Sequence, residues 1–220
     1  MVSRHESFRR AVRDIALIAR REIGFLLGPY PDPRDATRIL EEILPELIRQ
    51  YGLAASTVAA EYYDAVRDEA MVTGGFRALP QEPAAGGTDS LIHWALGQAT
   101  SPEAFYGLLM GGLQRRIANA SRETVMRSAV ADPRAQGWMR IGVGHCGFCA
   151  MLIGRGAVYR SESTVSFAAH DDCNCNYAPA FNERQAESVL KEFVPSARRR
   201  SEETRSTDNA RSRRWIEANL

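Results

Sequence analysis

The sequence predicts an α+β fold that is mainly α: an N-terminal helical bundle, then a small metal-stapled α+β module, then a charged C-terminal tail. Three observations predict it. Up to Ala131, apolar side chains recur every three to four positions, the period of an amphipathic helix. Beyond Pro133 that period gives way to short alternating stretches. All 4 cysteines then fall between positions 146 and 175, where regular structure is weakest. The boundaries expected on this reading are a helical domain at 1–131, a Cys/His metal-knuckle module at 132–182, and a helix with an Arg-rich flexible tail at 183–220.

The first helix is expected over 8–27, where Phe8, Val12, Ile15, Ile23 and Leu26 mark one face and arginines lie between them. Gly28 and Pro31 end it. Asp32-Pro33 reads as an N-cap followed by proline at the first helical position. Ile39, Leu40, Ile43, Leu44 and Leu47 give this second helix its buried stripe. A third helix is expected from about 54 to 72, with Val58, Tyr62 and Val66 on one side and Gly74-Gly75 as its stop. Residues 73–88, rich in Gly, Pro and Ala, read as a loop. A short helix is expected over 91–97. Ser101-Pro102-Glu103 combines a cap, a proline and an acid in the first turn, opening a helix with Phe105, Leu109, Leu113 and Ile117 that Asp132-Pro133 closes.

Residues 137–143 alternate like a short strand, 150–155 suit one or two helical turns, and 157–160 suit a second short strand. The segment 167–175 reads as a loop. So few regular elements bury little apolar surface, and a bound metal would supply the missing stability, on the order of 10 kcal/mol in small zinc modules. A further short helix is expected over 182–194. Residues 196–214 hold 7 arginines against 3 acids and almost nothing apolar, a solvated tail by composition. Trp215-Ile216 offers an anchor on a neighbouring subunit.

Composition narrows the function. With 220 residues and 45% hydrophobic content, one medium domain or two small ones can form a core. A net charge of +1 argues against a general nucleic-acid-binding surface. No apolar run approaches the roughly 20 residues that span a bilayer, and the charged start is unlike a signal peptide. The expectation is a soluble protein made in a cytoplasm, with no membrane partner and no small-molecule substrate. Lys191 is the single lysine among 28 basic residues, a bias that suits a GC-rich genome.

The chemistry-bearing pattern is Cys146-x-x-Cys149 followed by His170-x-x-Cys173-x-Cys175. Zn²⁺ takes four thiolate or imidazole ligands in a tetrahedron, and C-x-x-C supplies two from one turn. The second half supplies His170, Cys173 and Cys175, one more than required. Cys146, Cys149 and Cys175 rank first, with His170 and Cys173 competing for the fourth place; the strain of adjacent C-x-C ligands favours His170. Two other uses of these thiols stay open: a redox dithiol, since CGFC looks like thioredoxin-type motifs, and disulfides. A zinc-dependent hydrolase or other zinc enzyme is the alternative at the level of function, but the deaminase order of motifs is reversed here and the H-E-x-x-H of zinc proteases is missing. A nucleic-acid-binding zinc module would want basic residues around the knuckle; Arg155 and Arg160 are near, but so are Asp171 and Asp172. In the tail, Arg198, Arg199, Arg200, Arg211, Arg213 and Arg214 are candidate contacts to nucleic acid or a partner.

The run from Asp132 to Arg140, the Cys146-Gly-Phe-Cys149 element, Arg155-Gly-Ala-Val-Tyr159 and Ala169-His-Asp-Asp-Cys173 together resemble the MuF-like minor head proteins of tailed phages, especially those of phages infecting actinobacteria. The likeness extends over residues 1–182. It implies a structural virion protein, a minor capsid component inside the head and associated with the portal and capsid proteins. It further implies a role in head morphogenesis, DNA packaging or ejection. No enzymatic activity is implied. Packaged DNA is a further expected partner, through the C-terminal tail.

Overall fold

The computed structural model describes residues 3–84, 86–143, 147–160 and 171–182, together with positions 210, 213, 214 and 217. The elements are α1 (Arg4–Leu27), α2 (Pro33–Glu69), α3 (Thr88–Gln98), α4 (Pro102–Ala131), β1 (Gly137–Ile141), α5 (Gly147–Gly154) and β2 (Asn176–Ala180). Among the described residues the fold is mainly α with one small two-stranded sheet, as the sequence predicts. The helix expected over 182–194 lies outside the described residues.

Local chemistry accounts for the helix starts. Ser3 caps α1 by accepting from the Glu6 N–H at 3.2 Å, Asp32 caps α2 through the Arg34 N–H at 2.8 Å, and Ser101 caps α4 through the Ala104 N–H at 3.2 Å. The second and third expected helices are one element: α2 runs unbroken through Pro45 and Gly52. Gly52 is a contact residue and not a breaker, because a Cβ there would come within 2.7 Å of the Pro83 ring.

The chain forms two compact units, each assembled from separated stretches. One comprises 1–62, 77–124 and 169–174. Its core stripe on α1 is Phe8, Val12, Ala16, Ala19, Ile23 and Leu27. Phe8 stacks on Tyr62 of α2 with ring centroids 4.0 Å apart, and Leu91 of α3 lies against Gly112 of α4.

The other unit comprises 63–76, 125–168 and 175–220. At its centre Arg67, 2% exposed, donates to Asp132 at 2.9 Å and to the carbonyls of Val72, Thr73 and Gly74 at 3.0–3.1 Å. It thereby closes the C-terminal end of α2. β1 and β2 pair antiparallel, Gly137 opposite Ala180 and Ile141 opposite Asn176. The strand expected over 157–160 reduces to a single bridge, Tyr159 with Trp138. The Trp138 N–H bonds the Tyr159 carbonyl at 3.0 Å, so at that register β1 turns its donor away from β2. Pro179, opposite Trp138, therefore needs no N–H, which is how a proline is tolerated inside β2. Trp138, Tyr159 and Tyr177 gather with ring centroids 6.1–6.4 Å apart.

Gly137 has φ 134°, and a Cβ on it would collide with the Tyr159 carbonyl oxygen. Both backbone strain and contact forbid a side chain there. Gly137→Ala is expected to lower stability by more than about 2 kcal/mol, read as a fall in the denaturation midpoint, whereas Gly75→Ala, with open space around it, is expected to leave it unchanged.

Candidate metal centre

Three of the cysteines converge. The sulfur atoms of Cys149, Cys173 and Cys175 all lie within 4.8 Å of one another, and the residues are 4%, 3% and 7% exposed. Tetrahedral thiolate zinc places its sulfurs roughly 3.8 Å apart, from Zn–S bonds of about 2.3 Å, so only a small contraction is needed to close the three on one ion.

Each sulfur is placed by identifiable local structure. Cys149 sits in the first turn of α5. Cys173 and Cys175 flank Asn174 just before β2. Both sulfurs enter the cluster, including that of Cys173, which the strain argument ranks behind His170. Gly142, the residue after β1, completes the cradle. A Cβ there would lie 2.6 Å from the Cys175 sulfur and 3.0 Å from the end of the Ile153 side chain, so the absence of a side chain makes room for the ligand.

The backbone just before this point is held by helices α1 and α4. Arg122, 2% exposed, donates to the Cys173 carbonyl at 2.9 Å. Arg20 bonds Asp172 at 2.9 Å and Gln114 at 2.8 Å, and Gln114 donates to the Asn174 side chain at 3.0 Å. Arg9 reaches the Asn174 carbonyl at 3.4 Å, and Arg115 pairs with Asp171 at 3.2 Å. Asp172 adopts φ 62° to make the turn, and Gly111 leaves space where a Cβ would come within 2.9 Å of Asp171. The two aspartates thus fix the turn to the helices.

The fit to a metal is good: buried thiol donors, a glycine cradle, and a guanidinium beside one sulfur. Arg140 donates from Nη1 to the Cys149 sulfur at 3.8 Å. Cys146 and His170 lie outside the described residues, as do Arg198, Arg199, Arg200 and Arg211; Arg213 and Arg214 are exposed.

The profile of the VG15 protein family matches residues 1–197 of this chain. The chain belongs to the VG15 family. This VG15 chain is also similar to the Gene 15 protein of Mycobacterium phage L5, at 24% identity over 181 residues, covering 74% of this chain and 58% of that protein. It therefore spans less than two-thirds of the length of that curated relative. No solved structure matches it. Among the described residues, no helix is long and apolar enough to cross a membrane.

Three participants in the VG15 site escape a reading of the motif alone: Arg122, Arg140 and Gly142. The two arginines sit in stretches whose periodicity says helix or strand, and only their burial reveals their work. Gly142 carries a weak signal, a glycine ending an apolar strand four residues before a C-x-x-C.

Proposed function

We propose that this VG15 family member is a structural minor head protein of a tailed phage of actinobacteria, MuF-like in type, internal to the head and associated with the portal. Its role is in head assembly or in DNA packaging and ejection, without enzymatic activity. The observation that carries the reading is the likeness to a mycobacteriophage protein across 181 residues, joined to the meeting of Cys149 with Cys173 and Cys175 in one cluster. The depth of that cluster supports a structural use. Catalytic zinc keeps a coordination position open to water, whereas these sulfurs sit under less than a tenth of their full exposure. In this reading Zn²⁺ is a folding staple held by Cys149, Cys173 and Cys175, with Cys146 or His170 as the remaining donor. The portal, the capsid proteins and packaged DNA are its partners, the last through the arginines of the tail.

Quantitative mass spectrometry of purified virions from the source phage or prophage tests this. A copy number that is a small fraction of the major capsid protein is the expected result. Absence from mature particles, or parity with the major capsid protein, would overturn the assignment.

A further inference from the structure

Arg140 stands where a metal centre of this composition has an electrostatic need. Three thiolates around one dication leave a net charge of −1, and a fourth thiolate makes it −2. Buried at 3–7% exposure, that excess is poorly screened by solvent. Arg140 is itself 3% exposed, is cationic, and is fixed by the pairing of β1 opposite Tyr177. Its Nη1 lies 3.8 Å from the Cys149 sulfur, within hydrogen-bond range for sulfur. The sequence gives no reason to expect an arginine in the middle of a buried strand, GWMRI, and hydrophobic burial alone would favour an aliphatic residue there.

We propose that Arg140 is the charge partner of a thiolate-bound divalent metal at Cys149, Cys173 and Cys175, donating to the Cys149 sulfur and offsetting the excess negative charge of the centre. This rests on the metal-knuckle reading above and assigns within it a residue that is no ligand. Outer-sphere donors of this kind orient the ligand and set metal affinity, and their loss typically weakens binding about 10- to 100-fold. A second buried arginine supplies an internal comparison. Arg155 of the same unit also contacts a sulfur, Met151 Sδ at 3.9 Å, but a thioether carries no charge.

The test uses the full chain and Zn²⁺ competition against a chromophoric chelator, with the cobalt-substituted spectrum as a second readout of sulfur ligation. Arg140→Met is expected to weaken Zn²⁺ binding by about 10- to 100-fold and to shift the sulfur-to-cobalt charge-transfer band. Arg140→Lys, which keeps the charge, should recover part of the affinity, and Arg155→Met should leave it unchanged. Equal affinity of wild type and Arg140→Met, or an equal loss in Arg155→Met, would overturn the proposal while leaving the metal itself in place. A wild-type chain that binds no Zn²⁺ would instead sink the knuckle on which it rests. Should Arg140→Met fail to fold, Arg140→Lys and Arg140→Gln are compared: tighter binding by the lysine variant is expected, and indistinguishable affinities would refute the charge role.

Discussion

Replacing Asp132 with alanine is expected to destabilise the protein by about 3–5 kcal/mol, the usual penalty for stranding one member of a buried ion pair. The carboxylate side chain has no exposure, and its partner Arg67 is 2% exposed. Asp132 also accepts from the Tyr63 hydroxyl at 3.2 Å and from the Arg134 N–H at 3.0 Å, so its removal leaves three donors short of an acceptor at once. Tyr63→Phe removes a single neutral hydrogen bond and is expected to cost only about 1 kcal/mol. Removing both charges with Arg67→Met and Asp132→Leu should recover part of the loss, because no unpaired ion then remains buried. Urea denaturation of the three variants beside wild type measures the set; an Asp132→Ala midpoint equal to wild type would refute the account. The same network shapes the alkaline limb of stability. Burial, followed by the Asp132 carboxylate, pushes the Tyr63 phenol well above its ordinary value. Unfolding releases that proton more readily, so this contribution is intact below pH of about 10 and is lost as pH rises beyond it.

Loss of the metal is the second large effect. Cys149→Ser or Cys175→Ser is expected to leave the purified protein with less than about half a metal equivalent and to lower its thermal midpoint steeply, since a structural zinc contributes on the order of 10 kcal/mol of apparent binding free energy. A strong chelator applied to the reduced wild type should do the same. The helical signal should survive either treatment at moderate temperature. The turn at 171–174 is held by Arg9, Arg20, Gln114, Arg115 and Arg122 through bonds that involve no sulfur. Elemental analysis together with circular dichroism follows both predictions. A wild type purified without metal, whose stability ignores the chelator, would remove the staple from the proposal.

What could be read in advance divides along physical lines. The caps at Ser101 and Asp32 and the stripe from Phe105 to Ile117 were legible because capping and helical period are local. The continuity of α2 was not: two apolar stripes read as two helices, whereas the element runs on through Gly52, which packs against Pro83 some thirty positions further along. β2 was missed for a similar reason. Pro179 argues against a strand, and its tolerance depends on which way the Trp138 N–H points. At the site, the clustering of Cys149, Cys173 and Cys175 was written in their spacing. Their supports were not: Asp171 and Asp172 look like incidental acids beside a motif until Arg20 and Arg115 are placed against them. Cys173 ranks behind His170 by the strain of a C-x-C pair on a tetrahedron, whereas the fold sets its sulfur within 4.8 Å of those of Cys149 and Cys175.

The interleaving of the two units has a consequence for descent. Each is built from three stretches that alternate along the gene, with the exchange falling inside α2 and α4. Recombination between related phages transfers contiguous stretches of coding sequence. No single crossover can therefore deliver one unit without severing a helix of the other. Exchanges within this region are expected to survive only when the incoming segment is already matched to its host, so the two units should be inherited together and diverge at a common pace.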